Sequence, residues 1–159
     1  GTAGNLVELL TGPGALVTTG GTCVVHVDDV GEGILQALAR GRAGERYILG
    51  GENVSLRQLA DLCLAWLGES RPIITVPRRL LAAAVVGATW FHCRPPCEPH
   101  LVPYASRFWY MDNRKARLEL GVSFRSAHAT VWSCLDWLRD TGRIPAPVRR
   151  EVASHAAVS

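Results

Sequence analysis

Residues 22–33 constrain the fold of this 159-residue chain more than any other stretch. Val24, Val25 and Val27 are β-branched and nearly continuous, a pattern typical of a strand covered on both faces in a parallel sheet flanked by helices. Asp29 follows at the position of a helix N-cap, and Glu32, three residues later, can complete a capping box. The stretch therefore predicts a buried strand that runs into a helix ending near residues 40–41.

The remaining elements alternate between short strands and helices. Extended segments are predicted at residues 15–18, 46–49, 71–77 and 108–111. Ser55 with Gln58 predicts a second capping box, Ser126 predicts the start of the last long helix, and Asp112 or Asn113 predicts the start of a short one. A helix over residues 78–91 is apolar nearly all round, which is typical of a helix that is buried or lies against another domain.

The composition favours one globular domain, with 48% hydrophobic and 19% charged residues. The 17 basic residues against 14 acidic ones are scattered arginines with a single lysine, so no nucleic-acid surface is expected. The longest apolar run, residues 80–91, is shorter than the ~20 residues that span a bilayer. Five cysteines without a visible signal peptide favour reduced thiols and a cytoplasmic protein.

Several motifs together carry a resemblance to a known family. They are His26-Val27-Asp28-Asp29-Val30 before a helix of small residues, and residues 45–57, 76–80, 111–117 and 119–121. In order and spacing they resemble the extended short-chain dehydrogenases/reductases, the NAD-dependent epimerase/dehydratase family. More narrowly, the chain is similar to the branch of dihydroflavonol-reductase-like proteins and hopanoid-associated sugar epimerases.

The resemblance implies an α/β fold: the C-terminal part of a Rossmann-type protein, made of the last sheet strands and a small, mostly helical substrate-binding domain. Residues 1–142 would form this segment, residues 143–159 a flexible tail, and the N-terminal cofactor-binding half would be absent. It also implies NAD(P) as the cofactor of the parent protein, a small-molecule substrate and a possible homodimer of the parent.

Two parts of the family's chemistry are missing from the sequence. No glycine-rich turn with GxxGxxG or GxGxxG spacing is present to hold a pyrophosphate. The acid/base pair Tyr-x-x-x-Lys is also absent, because Tyr47, Tyr104 and Tyr110 are followed four residues later by glycine, phenylalanine and arginine, and Lys115 comes one position too late. We therefore expect no catalytic or cofactor-binding residues and no cofactor on this chain alone.

The substrate side offers aromatic rather than cationic residues. Relatives that act on nucleotide-diphosphate sugars place an arginine where Thr22 stands and an Arg-x-Gly-Asp-like element where Val102-Pro103-Tyr104 stands. An apolar carbonyl or lipid-linked substrate fits better. The candidate substrate-binding residues are Phe91, Tyr104, Phe108, Trp109 and Tyr110. Core packing between a loop and the sheet is the alternative role for these side chains.

Other polar residues are predicted to be structural. His26 lies within an apolar strand, where a histidine satisfied by a partner is more common than a catalytic one, and Asp29 is most simply a helix cap. Residues 92–100 hold two cysteines and two histidines, the ligand types of a zinc site, but their spacing is poor and no metal is expected.

Two functional hypotheses remain open from the sequence. The first is the C-terminal, substrate-binding segment of an NAD(P)-dependent oxidoreductase or epimerase acting on a carbonyl or sugar-like substrate, inactive alone. The second is a non-catalytic binding or regulatory module derived from the same family.

Overall fold

A computed structural model of the chain describes residues 15–90 and 106–144. This part of the chain is a mixed α/β structure with small sheets and predominantly helical content. In chain order its elements are β1 (Ala15–Thr18), β2 (Gly21–Val24), α1 (Val27–Arg40), β3 (Glu52–Ser55), α2 (Leu56–Leu67), β4 (Ile73–Val76), α3 (Arg78–Trp90), β5 (Phe108–Trp109), α4 (Arg114–Leu120) and α5 (Ala127–Asp140).

The described strands form two separate sheets. β1 and β4 pair in parallel, with Ala15 opposite Ile73. In the second sheet β2 lies in the middle, antiparallel to β3 on one side and parallel to β5 on the other. The expectation of a strand within a parallel sheet is therefore only half right for β2, because its longer partner runs in the opposite direction.

Among the described residues, two small cores hold α1, α2, α4 and α5 in place. In the larger core, α2 packs against α5 through side chains that are almost entirely removed from solvent, among them Cys63, Leu135 and Leu138. The second core forms around α4, where Ala116, Leu120 and Val122 contact Ala37 of α1 together with Tyr47 and Leu49. Residues 47 and 49 thus connect α1 to α4.

The predicted helix starts at Ser55 and Ser126 are confirmed. The Ser55 hydroxyl accepts from the Gln58 amide at 3.1 Å, and the Gln58 side chain returns to the Ser55 amide at 2.8 Å, which completes the capping box. The helix ends at Gly68, whose φ of 69° is left-handed, as expected of a C-terminal glycine. Ser126 accepts from the amide of Ala129 at the start of α5.

The predicted start of the first long helix is wrong. β2 ends at Val24 and α1 begins at Val27, so the N-cap is His26 rather than Asp29. The Nδ1 atom of His26 accepts from the Asp28 amide at 3.2 Å, which supplies the cap that Asp29 was expected to supply. Glu32 instead accepts from Gln36 one turn later, so the predicted capping box does not form.

The predicted start of α4 at Asp112 or Asn113 is confirmed. Asn113 occupies the N-cap position, and the carboxylate of Asp112 accepts from the Arg114 amide at 3.0 Å, while the Asn113 side chain donates to the carbonyls of Gly50 and Gly51. One further prediction is corrected by the structure. The strand predicted over residues 46–49 forms no ladder with any described strand.

The extended segment at residues 15–18 and the helix from residue 78 are confirmed. Among the described helices, none combines the length and apolar character that a membrane span requires.

Candidate functional site

The predicted substrate-binding aromatics of the described chain lie on β5 and just after it. Phe108, Trp109 and Tyr110 all expose between 44% and 60% of their surface, which is a large apolar exposure for a two-residue edge strand. β5 is held in place by its parallel pairing with β2 and by a hydrogen bond from the Gly21 amide to the Arg107 carbonyl. The other two candidates, Phe91 and Tyr104, lie outside the described residues.

The structure brings two of these three side chains together. The rings of Phe108 and Tyr110 meet edge to face, with centroids 5.3 Å apart and planes inclined at 66°. They lie across Gly21, the residue of β2 paired with Phe108: a Cβ added there would come within 2.4 Å of the Tyr110 ring. Trp109 points to the opposite face, because successive side chains of a strand alternate. The candidate site is thus an aromatic pair over a glycine.

His26 and Asp29 connect the β2–α1 junction to the start of α5. Nε2 of His26 lies 3.1 Å from Oγ of Ser133, and Nδ1 lies 2.6 Å from Nη1 of Arg125. Asp29, although only 8% exposed, is fully engaged, because one carboxylate oxygen accepts from the Arg125 amide at 2.7 Å and the other lies 3.3 Å from its Nε. Both side chains are therefore used within the fold.

Three side chains have the spacing of a hydrolase triad: Ser133, His26 and Asp28. The donor and acceptor roles of the imidazole nitrogens differ from those of a triad. Nδ1 of His26 is 3.5 Å from the Asp28 carboxylate, yet it accepts from the Asp28 amide and faces a guanidinium donor. With Nδ1 acting as an acceptor, Nε2 is the ring nitrogen that donates to the Ser133 hydroxyl. A nucleophilic serine needs the opposite tautomer, with Nε2 free to take its proton. The cluster is not a nucleophilic site.

A tyrosine and a lysine do meet in space, although the sequence does not place them four residues apart. Nζ of Lys115 lies 4.8 Å from the centroid of the Tyr47 ring and forms an ion pair with Glu45. The Tyr47 hydroxyl donates to Glu119 at 2.9 Å and accepts from the Arg42 amide. The Tyr-x-x-x-Lys motif does not detect this pair, because the motif describes only residues four positions apart on one helix.

The charges around Tyr47 act as a structural network. The ion pair with Lys115 lowers the pKa of Glu45, and the Arg42 guanidinium, followed by the Tyr47 hydroxyl, lowers that of Glu119. Both carboxylates therefore stay ionised and keep their partners. Since the Tyr47 hydroxyl is already bonded on both sides, it is not poised to exchange a proton with a substrate.

Three of the described helices begin with first-turn amides that are already hydrogen-bonded, whereas a dinucleotide pyrophosphate binds at free amides at the start of a helix. At α1 the Asp28 amide is taken by His26, and two carboxylates stand in the first turn. At α2 the cap is filled by Ser55 and Gln58. At α5 the Ala127 amide donates to Glu52 at 2.7 Å. The named amides at the starts of α1, α2 and α5 are therefore not free for a pyrophosphate.

Potential metal ligands do not converge in the described ranges: residues 15–90 and 106–144 contain no cluster of three or more His, Cys, Asp or Glu side chains. The cysteines and histidines between residues 92 and 100 lie outside those ranges.

No protein-family model matches the chain. Among curated proteins, a 4-hydroxy-2-methyl-3-oxo-4-farnesyl-3,4-dihydroquinoline-1-oxide ketoreductase from Stigmatella aurantiaca is 34% identical over 128 residues, 76% of this chain and 37% of its own length. Sterol demethylase protein B from Methylococcus capsulatus is 27% identical over 122 residues, 69% of this chain and 35% of its own.

Solved structures give the same picture. The structure of gox2253 superposes on this chain with a TM-score of 0.72 at 30% identity. The superposition covers 90% of this chain and 44% of the gox2253 chain. A nucleoside-diphosphate-sugar epimerase from Pseudomonas aeruginosa gives a TM-score of 0.70 at 30% identity, with 91% and 44% coverage. The chain therefore spans less than half the length of the relatives it matches, and its fold corresponds to their C-terminal part.

Proposed function

Because this chain belongs to the extended short-chain dehydrogenase/reductase family, of which it represents the C-terminal part, we propose that it is the substrate-binding side of an NAD(P)-dependent oxidoreductase or epimerase. A separate cofactor-binding half holds the dinucleotide and supplies the acid/base residues. This division is supported by the satisfied helix N-termini and by the engaged Tyr47 hydroxyl. The chain on its own binds substrate and is inactive.

The substrate of this protein has a large apolar body next to the reacting carbonyl or alcohol carbon. The observation that carries this assignment is the half-exposed pair of Phe108 and Tyr110 over Gly21. Exposed aromatic rings bind apolar surface by removing it from water, and aromatic rings add favourable contacts with a flat ring system.

Two further observations agree with an apolar substrate. Thr22, paired with Trp109 in the centre of the sheet, offers no cation for a diphosphate. The two curated relatives are named for a sterol and for a farnesylated quinoline. The epimerase from P. aeruginosa, in contrast, is named for nucleoside-diphosphate sugars, so the test must separate the two substrate classes directly.

The test measures binding to the 159-residue chain by equilibrium dialysis with three labelled probes: the sterol ketone cholestenone, UDP-glucose and NADH. We expect cholestenone to bind and the other two not to bind. Replacing both Phe108 and Tyr110 by alanine weakens cholestenone binding at least about 10-fold, the equivalent of about 1.4 kcal/mol of lost contact.

The matched control is Trp137→Ala, because Trp137 is comparably exposed but lies on α5. That variant binds cholestenone as the unaltered chain does. Tight binding of NADH would contradict the proposal that a separate half binds the cofactor. Binding of UDP-glucose in place of cholestenone would contradict the proposal that the substrate is apolar.

A further inference from the structure

Helix α3 turns an apolar side to solvent. Val85 is buried, whereas the exposed apolar residues of the helix recur at spacings of three and four and so share the opposite side. These exposed residues, called here the α3 stripe, are Leu80, Ala83, Ala84, Val86 and Trp90. Leu80 is 62% exposed and Trp90 is 84% exposed. The rest of the chain therefore covers α3 on one side only.

The charges of α3 are confined to its beginning. Arg78 and Arg79 are its first two residues, and the side chain of Arg79 is exposed. Residues 80–90 then contain no charged side chain. The exposed side of a helix in a globular protein usually carries charged and polar residues, so an uncharged side of this length indicates a surface that meets an apolar partner.

The two ends of the stripe fit the two chemical zones of a lipid surface. Arg79 lies at the start of the helix, where a guanidinium can contact the phosphates of anionic head groups. Trp90 is the last residue of the helix, and tryptophan favours the boundary between head groups and acyl chains. With 13 residues the helix is about 20 Å long, which suits a helix that lies along a bilayer rather than one that crosses its ~30 Å core.

Charge complementarity favours an anionic lipid surface over a second copy of the chain. Residues 78–90 contain no aspartate or glutamate, so a second α3 stripe would offer no carboxylate to Arg79. The whole chain also carries a net charge of +3. A bilayer with anionic lipids supplies the negative charge that the stripe lacks, together with the apolar phase that Leu80 and Trp90 require.

We propose that the α3 stripe docks on the surface of a membrane that contains anionic lipids. Helix α3 lies parallel to the bilayer, Leu80 and Trp90 enter the boundary of the acyl chains, and Arg79 contacts lipid phosphates. Docking holds the enzyme at the phase in which an apolar substrate dissolves. Only this last consequence rests on the proposed function. Because the test uses neither substrate nor cofactor, its failure is distinguishable from failure of the proposed function.

The experiment measures sedimentation of the 159-residue chain with lipid vesicles. One set of vesicles is phosphatidylcholine with about 30% phosphatidylglycerol, and the other is phosphatidylcholine alone. We expect the chain to bind the anionic vesicles at least about 5-fold more tightly, since each basic residue near such a surface adds attraction. Raising the salt concentration from about 0.1 M to about 1 M reduces this difference, because the screening length falls.

A matched pair of double variants tests the apolar part of the stripe. Leu80→Gln with Trp90→Gln weakens binding to the anionic vesicles at least about 10-fold, because both side chains leave the acyl boundary. Leu118→Gln with Trp137→Gln changes an exposed leucine and an exposed tryptophan on α4 and α5, and binding stays as in the unaltered chain. Far-UV circular dichroism establishes that both variants are folded.

Substitution of arginine tests the electrostatic part. Arg79→Gln weakens binding to the anionic vesicles by about 5-fold and leaves binding to phosphatidylcholine unchanged. Arg57→Gln, at an exposed arginine of α2, leaves both affinities unchanged.

Quenching of tryptophan fluorescence by brominated lipids locates the helix at the bilayer. In the unaltered chain, the bromine atoms quench part of the fluorescence. Trp90→Phe retains vesicle binding and loses most of this quenching, whereas Trp137→Phe keeps it. Phenylalanine preserves the apolar contact, so this pair separates the position of α3 from the strength of binding.

Three results would overturn the proposal. The first is a folded chain that does not sediment with the anionic vesicles. The second is equal loss of binding in the two double variants, or quenching that persists in Trp90→Phe, since the lipid would then contact another surface. The third is a dimer of the chain that excludes vesicles and that Leu80→Gln with Trp90→Gln abolishes, since a second copy would then cover the stripe.

Discussion

The side chain of Asn53 makes both hydrogen bonds of a β-bridge with the backbone of Met111. Its Nδ2 donates to the Met111 carbonyl at 3.0 Å, and its Oδ1 accepts from the Met111 amide at 3.0 Å. Asn53 belongs to β3, whereas Met111 follows β5 at the other side of the sheet. One amide side chain thus extends the short β5 pairing by one further bridge, just beyond the aromatic pair.

Asn53→Ala removes both bonds of this bridge. We expect the free energy of unfolding to fall by about 1–2 kcal/mol, because each bond contributes about 0.5–1.5 kcal/mol net and the site is partly wet. Urea unfolding followed by far-UV circular dichroism measures the change. Arg57→Ala, at an exposed position of α2, is the control and stays within about 0.5 kcal/mol. Equal stability of the two variants would show that the bridge contributes nothing.

The adjacent carboxylates Asp28 and Asp29 provide a matched pair of substitutions. Asp29 is buried and accepts from the amide and the Nε of Arg125, whereas the side chain of Asp28 is 65% exposed. We expect Asp29→Asn to cost about 2–3 kcal/mol, since it weakens two bonds inside the fold, and Asp28→Asn to cost less than about 1 kcal/mol. Chemical denaturation of both variants measures the two losses in the free energy of unfolding. A larger cost at Asp28 would mean that the surface pair holds the junction.

Local sequence signals are sufficient to predict the helix starts at which a serine hydroxyl is the N-cap. Ser55 with Gln58 and Ser126 were predicted from residue type and spacing alone, and both caps form. Asp29 was predicted to be a cap on the same grounds and is not one. The competing acceptor, His26, precedes it by three residues, and Asp29 is drawn instead to Arg125, 96 residues along the chain. Local spacing cannot report so distant a partner.

The strand predicted at residues 46–49 failed for a different reason. Its alternating side chains are present, but a strand is defined by the hydrogen bonds of a neighbour, and no described strand pairs with it. The pairing of Lys115 with Tyr47 was likewise invisible, because it depends on how α4 packs against a loop. The aromatic residues at β5 are evident from the sequence alone. The sequence does not show which of them share a face of the sheet, because this depends on the pairing of β5 with Gly21.

Gly21 and Gly31 are expected to respond in opposite directions to alanine. Gly21→Ala places a methyl group within 2.4–2.8 Å of Tyr110 and Phe108, so the rings must move and stability falls by about 1–2 kcal/mol. Gly31→Ala meets nothing within 4 Å and gains about 0.5–1 kcal/mol, because alanine favours a helix. Thermal unfolding gives the sign of each change.

Near-UV circular dichroism adds a direct test of the aromatic pair. We expect the Gly21→Ala spectrum to change in the tyrosine region and the Gly31→Ala spectrum to remain as in the unaltered chain. An unchanged spectrum for Gly21→Ala, with unchanged stability, would mean that Phe108 and Tyr110 do not rest on this residue in solution.

The buried thiol of Cys63 predicts how stability depends on alkaline pH. Burial raises the pKa of Cys63 from its ordinary 9.0 to about 12, with a smaller contribution from the nearby Cys134. Between these two values the folded chain keeps a proton that the unfolded chain releases. The stability it contributes is therefore fully present below pH 9 and is lost as the pH rises towards 12, at up to about 1.4 kcal/mol per pH unit.

Urea unfolding at pH 8, 9 and 10 measures how steeply the free energy of unfolding falls with pH. We expect Cys63→Ala to remove the part of this slope that comes from the Cys63 thiol, and Cys134→Ala to leave most of that part in place. Comparing slopes rather than absolute stabilities cancels the cost of the cavity that Cys63→Ala creates between α2 and α5. If both variants retained the slope of the unaltered chain, the alkaline loss would come from other groups whose pKa the fold raises, such as the partly buried thiol of Cys23 or the Lys115 ammonium bonded to Glu45. Cys63 would then not be kept protonated by its place in the core.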